Sequence, residues 1–405
     1  MSAFEITLPG GASRRLKTGG KYCPADILVT ALGSAPVEES DVNFYDYDGS
    51  LLHTYTLEAL RALTELPPLP SHEGLTCQGW NWSLEDLKAY GKPYDVLPYY
   101  ITEDGATWYD LVNDTGRAIT VTFRWKQYTN QPAPVLDFGD GSETVTLETV
   151  ANGAVVSCSH TYAPGTYRAK LSGFYHLGDG NAISDIEENR CILLKRVFFG
   201  EYPTAIYPYA FRYNVRLETV TMTNNCKIGG GQAFGYCYNL KALPAACNSN
   251  LPSSFVADCK SMIVVSMANG TLGHYGVGSC SNLKRLCLPD TTTGFHSNNA
   301  DNVALVYTNI PNGTTSVPNN AFIRNYSLIK LDVPDTVTSI GSNAFNNCIS
   351  MHTLRLNSIV PPAVANANAF SGIPGSCIVE VPAESLTTYQ EATNYGAIAA
   401  QMVGV

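Results

Sequence analysis

Few residues of this chain have the type and spacing to do chemistry, and most of those read more simply as structure. Seven histidines stand at 53, 72, 160, 176, 274, 296 and 352. None falls in a His-Glu-x-x-His or similar spacing that would aim two imidazoles at one metal. The 12 cysteines include no Cys-x-x-Cys pair, so a zinc site is not expected. No Gly-x-Ser-x-Gly nucleophile elbow is present. Gly229-Gly-Gly231 lacks the strand–loop–helix setting of a phosphate cradle and reads as a turn. Asp137 and Asp140 carry the hard oxygens that suit Ca2+. A turn in which both carboxylates cap backbone amides is the better reading. His160 has no nucleophile beside it and reads as a packing residue. The expectation is therefore a chain with no catalytic residues, no metal and no cofactor.

Tyrosine is the exception. Tyr207, Tyr209, Tyr213, Tyr236, Tyr238 and Tyr275 crowd a series of turns in the middle of the chain. Exposed tyrosines give large contact area at low cost in side-chain entropy, which suits a binding surface. The plainer reading is that they cover the edge of a fold. Tyr236 and Tyr238 flank Cys237, and if Cys237 points inward they point outward.

The elements that would hold these tyrosines follow a repeat. An Ala-Phe pair recurs at Ala210-Phe211, Ala233-Phe234, Ala321-Phe322, Ala344-Phe345 and Ala369-Phe370. The third residue after the anchor is Asn214, Cys237, Asn325 or Cys348, and the sixth is Leu217, Leu240, Leu328 or Met351. The ninth and eleventh are mostly apolar, as in Leu331 with Val333 and Leu354 with Leu356. Weaker copies start at Val256 and Val277 and put Cys259 and Cys280 in the same slot. The alternating ninth and eleventh positions predict a short strand with one buried face. The small Asn or Cys before it predicts an inward ladder of Asn214, Cys237, Cys259, Cys280, Asn325 and Cys348. The cysteines of that ladder are expected as free thiols, because stacked parallel side chains fit disulfide geometry poorly. Such units bury a core only by stacking on one another.

The pattern resembles the BspA-like leucine-rich repeat. Its best copy runs from Leu331 through Val337-Thr-Ser-Ile-Gly341 to Phe345, Cys348 and Met351. The resemblance implies a solenoid over 178–382 and a cap over 383–405, with Tyr389 packing back and a last strand at Met402-Val403. Three segments precede it. Residues 1–36 form an attachment segment, whose Leu16–Thr30 stretch resembles N-terminal segments of tail proteins of phages and prophages from gut Firmicutes. Residues 37–112 resemble the Listeria–Bacteroides repeat, a small β-grasp module, with a hairpin turn at Asp48-Gly49 and a helix capped by Ser83. Residues 113–177 carry Asp137-Phe-Gly-Asp-Gly and His160-Thr-Tyr162, which resemble the PKD domain, an immunoglobulin-like sandwich. The fold class is thus mainly β and multidomain, with both modules as spacers. Gly33–Ser40 is the expected linker.

Composition narrows the function. The net charge is −10 with only 15% charged residues, which leaves no footprint for nucleic acid or anionic lipid. No run of about 18 apolar residues exists to cross a membrane. The N-terminus has no basic segment followed by an apolar one, so a secretory leader is not expected. These features and the resemblances imply a phage or prophage tail-tip protein of the virion that binds a bacterial surface ligand through the solenoid. Its partners would be a cell-surface protein or glycan, and other tail or baseplate proteins through the N-terminus. Homo-oligomerisation stays open. The alternative is a BspA-like adhesin on the bacterial cell surface. A carbohydrate-active tail spike ranks third.

Overall fold

The computed structural model describes residues 3–7, 13–17 and 41–405, except 127–130, 147–152, 178–179, 186–190, 204, 245–251, 268–269 and 296–301. The chain divides into two units, residues 1–38 and 39–405. In the first, Ala3–Thr7 pairs antiparallel with Ser13–Lys17. The strand expected at Ile27–Thr30 and the linker at Gly33–Ser40 lie outside the described residues.

The second unit opens with the hairpin Asp41–Tyr45 and Leu51–Thr56, closed where the Gly49 amide donates to the Asp46 carbonyl. Helix Leu84–Tyr90 starts at Ser83, whose hydroxyl accepts from the Asp86 amide, and ends at Gly91 in the left-handed region. Those are the start and stop signals a short helix needs. Tyr94–Val96 then pairs parallel with the first strand of the hairpin. A sandwich follows. One sheet holds Ile119–Lys126, Val155–Tyr162 and Ile183–Asp185; the other holds Thr107–Asn113, Val135–Asp137, Val145–Thr146 and Gly165–Ser172.

The solenoid consists of short parallel strands stacked turn on turn. Lys330–Val333, Thr353–Leu356, Ile378–Val381 and Met402–Gly404 form one row, and Ser316–Val317, Ser339–Ile340 and Ala363–Val364 a second. Anchor rings stack along the axis: Phe211 on Phe234 at 5.2 Å, and Phe322, Phe345 and Phe370 at 5.7 Å steps. The C-terminal end is closed by helix Leu386–Glu391 and the turn after it. Tyr389 and Tyr395 are buried there and donate to the carbonyls of Ser358 and Pro362.

The two modules before the solenoid are not spacers. The boundary expected at 112/113 falls within strand Thr107–Asn113, which belongs to the sandwich because it pairs with Gly165–Ser172. On its other edge the same strand pairs with Leu194–Phe198, the first strand of the solenoid, which in turn pairs with Thr219–Thr221. One sheet therefore runs from sandwich into solenoid, and the boundary expected at 177/178 disappears into a shared core. That core extends from Tyr109 and Trp125 through Phe211 and Phe234 to Leu305. Asp110 is buried on the joining strand, with Arg168 of the sandwich and Arg196 of the solenoid at 2.6 and 3.2 Å. The first module is tied across the solenoid as well. Asn81 donates to Ser266, Tyr90 to the Leu288 carbonyl, Lys92 to Asp290, and Arg285 to the Asp41 carbonyl.

A shared core predicts shared unfolding. Residues 39–405 should melt in one cooperative transition. A 178–405 fragment, which leaves Leu194–Phe198 without its antiparallel neighbour, should aggregate or melt without cooperativity. Calorimetry decides this, and two independent transitions in the longer chain would contradict it.

Candidate recognition surface on the solenoid edge

The repeat slot is an inward ladder. Asn214, Cys237, Cys259, Cys280, Asn325 and Cys348 are all fully buried. The four cysteines are free thiols, and each donates to the anchor carbonyl of the turn before it: Phe211, Phe234, Val256 or Phe322. Burial pushes all four thiols up, Cys280 and Cys348 to about 12. Asn214 fills the slot differently. Its amide donates to the Phe211 carbonyl and its oxygen accepts from the Cys191 amide. Asn325 has no partner for either side-chain atom.

Around each anchor the backbone takes an unusual path. Six anchors stand at 211, 234, 256, 277, 322 and 345. The residues two before and two after every one of them have positive φ, between 54° and 67°. None of these twelve residues is glycine. The cause is a third ladder. The amides of Tyr209, Phe211 and Tyr213 donate to Gly231, Ala233 and Gly235 of the next turn, and Gln232, Phe234 and Tyr236 to Ser253, Phe255 and Ala257. Alternating left-handed residues aim successive amides along the solenoid axis.

For most L-residues that conformation costs about 1–2 kcal/mol, and Asn and Asp tolerate it best. Asn320, Asn343, Asn347 and Asp258 follow that preference. Tyr209, Tyr213, Tyr236 and Tyr275 do not, although they occupy the same backbone sites.

The tyrosines expected on one outward face are not equivalent. Tyr209, Tyr238 and Tyr275 are exposed, at 43%, 42% and 46%. Tyr207, Tyr213 and Tyr236 are half-buried. Tyr207 is covered by Lys126 and His176 of the sandwich, at 4.8 and 5.9 Å from its ring. Tyr213 and Tyr236 stack on each other at 4.7 Å. What binds the group together is Arg212, a residue outside the set of tyrosines expected from the sequence. Its guanidinium lies 4.4, 5.3 and 5.5 Å from the rings of Tyr213, Tyr209 and Tyr236, and it donates to the Tyr213 hydroxyl at 2.7 Å. The signal was present in the sequence as a basic residue directly after the anchor Phe211, with tyrosines two before and two after it. Among the described residues, no ring contact joins Tyr238 or Tyr275 to this cluster.

Other candidates are already committed to the scaffold. Asp137 accepts from the Gly139 amide, and Asp140 from the amide and hydroxyl of Ser142 and from His160. The Ser142 hydroxyl and then His160 hold the Asp140 carboxyl down at about 2. Two clefts of about 370 and 490 Å3 lie where the first module crosses the solenoid. Lys92 lines one and Asp290 the other, and they are paired at 2.6 Å. In the larger cleft the indole N–H of Trp82 donates to the Met267 carbonyl and the Tyr90 hydroxyl to that of Leu288.

Comparison with known proteins agrees with the repeat geometry. Residues 183–270 and 249–377 match the BspA type leucine rich repeat region, in six copies. The matched residues are those of the solenoid, which is thus similar to BspA-type leucine-rich repeats. Among solved structures, a leucine rich cell surface protein from Faecalibacterium prausnitzii is similar at 14% identity and a TM-score of 0.27, over 53% of this chain and 85% of that one. The pneumococcal vaccine antigen PcpA is similar at 12% identity and a TM-score of 0.19, over 57% and 92%. No curated protein matches the chain.

Two outcomes test the BspA-type ladder and the sandwich turn. Asn325→Cys removes an unsatisfied buried amide, so it should stabilise the chain by about 1 kcal/mol in denaturant titration, whereas Cys348→Tyr should overpack its turn and destabilise by about 1–3 kcal/mol or more. Asp140 has a folded pKa below its unfolded one, so its contribution is present above about pH 4 and lost on acidification toward 2. The difference in melting temperature between the parent and Asp140→Asn should accordingly shrink as pH falls from 5 to 2.

Proposed function

We propose that the protein acts by binding, as a bacterial cell-surface adhesin of the BspA-like kind, and that the edge around Tyr209, Arg212, Tyr213 and Tyr236 is its recognition surface. The observation that carries this reading is tyrosine at left-handed positions where turns further along the solenoid carry Asn320, Asn343 and Asn347. The amide ladder accounts for the left-handed backbone but not for tyrosine on it, and an added conformational cost at an exposed residue such as Tyr209 points to function. The cluster also has the make-up of an interface centre, with aromatic rings around an arginine. It stands on repeat turns held at both flanks, by the sandwich and by the stacked turns beyond, so it is preorganised.

The adhesin form is preferred over a virion tail protein because the BspA-type repeat is the part of the chain matched to a known family. The tail reading rests on the resemblance of Leu16–Thr30, the expected lack of a secretory leader and the resemblance of the two modules to surface-protein domains.

Adhesion assays with the full chain test both. Tyr209→Asn should reduce binding to epithelial cells or their secreted glycans by about tenfold, in line with loss of a modest hot spot. The same change should leave the melting temperature unchanged or raised, since Asn suits the backbone better. Binding undiminished by Tyr209→Asn overturns the surface assignment. Adsorption to bacteria with none to epithelial material would favour the tail protein.

A further inference from the structure

We infer that this edge recognises an anionic polysaccharide, with Arg212 pairing the carboxylate or phosphate of a sugar held against the tyrosine rings. The inference rests on the recognition surface proposed above and names its ligand class.

Among the described residues no carboxylate lies within ion-pair distance of Arg212. Several other basic side chains of this unit are paired, as Arg168 and Arg196 are with Asp110, Arg216 with Asp114, Lys195 with Glu218 and Arg355 with Glu380. Lys260, on the same edge two turns on, is paired with Asp258 at 2.7 Å. Arg212 instead makes one hydrogen bond, to a tyrosine hydroxyl, and its Nε is buried with no acceptor. In the next turn Gln232 Oε1 is likewise buried and unpartnered. Three rings hold the guanidinium plane in place, so little entropy remains to be lost when an anion docks. A planar guanidinium so held is suited to two-pronged pairing with carboxylate or phosphate.

The aromatic surroundings favour a sugar as the carrier of that anion. Tyrosine rings offer flat apolar faces to the C–H faces of a pyranose, and their hydroxyls offer hydrogen bonds at the ring edge. The edge is also periodic. Left-handed positions recur on each turn, at a rise of about 4.8 Å, and give a polymer a regular track. With a net charge of −10 the chain as a whole repels polyanions, so retention of one must come from local contacts.

The test uses the full-length protein on immobilised polygalacturonate, a glycerol-phosphate polymer and neutral dextran. Retention is expected on one or both of the charged polymers and not on dextran. The two charged arms show whether carboxylate or phosphate is taken. Arg212→Gln should weaken retention at least tenfold, and Arg212→Lys, which keeps the charge but not the fork, several-fold. Circular dichroism confirms that each variant is folded, and if Arg212→Gln is not, Arg212→Lys decides. Equal binding to dextran, no binding to either charged polymer, or full affinity in both Arg212 variants would overturn the inference. If Tyr209→Asn still abolishes cell binding in that event, the edge remains the recognition surface and only its ligand class is wrong. If neither Tyr209 nor Arg212 matters, the surface itself is wrong.

Discussion

The geometry of the solenoid depends on where the amides around each anchor send their hydrogen bonds. A turn buried on one side by stacking has backbone donors that water reaches poorly, and an unmade bond there is costly. The chain meets this by alternating right- and left-handed residues, so that amides at positions such as 209, 211 and 213 all point along the axis to the next turn. Anchor rings then stack beneath that ladder, and the Asn or Cys slot fills the space below with a short side chain, each of the four cysteines bonding a carbonyl of the turn before. The two left-handed residues per turn lie toward the outside, exposed at Tyr209 and Tyr275 and half-buried at Tyr213 and Tyr236. Whatever side chains stand there are displayed on a rigid, regular edge, and this is how a purely structural requirement creates a surface that selection can decorate.

The second determinant is the way the solenoid begins. Its first strand has an exposed edge that would invite pairing with another chain. In this protein Thr107–Asn113 of the sandwich takes that edge, and Asp110 between Arg168 and Arg196 fixes the joint electrostatically. The first module presses on the strands further along, where Arg285 is buried against Asp95 at 3.5 Å. Burial raises the Asp95 carboxyl, and the nearby Arg285 works against that shift. At the far end Tyr389, Tyr395 and strand Met402–Gly404 close the stack. The repeats are covered at both ends, by the sandwich strand and by the C-terminal cap.

Much of this was legible in the chain of letters, and the legible parts share a cause. The Ala-Phe spacing, the apolar ninth and eleventh positions and the small polar slot each reflect a contact repeated on turn after turn, so the signal accumulates. Ser83 as a helix cap and Asp48-Gly49 as a hairpin turn were readable because their chemistry is local. Tyr207 was misjudged as part of an open face because the residues that cover it, Lys126 and His176, are distant in sequence. Arg212 was not legible because a single basic residue carries no period, and its meaning lies in having three rings around it and, among the described residues, no carboxylate.

Sequence alone therefore determined the solenoid, its register, the inward ladder and the acidic, charge-poor character of the chain. These depend on residue type and spacing, which sequence records directly. Only the tertiary structure decided that the sandwich and the solenoid share a sheet and a core, that the left-handed positions carry tyrosine at a conformational cost, and that an unpaired arginine sits among them. Those facts depend on dihedral angles and on contacts between residues as far apart as Asp110 and Arg196. No local pattern encodes them, since they exist only once the chain has closed on itself.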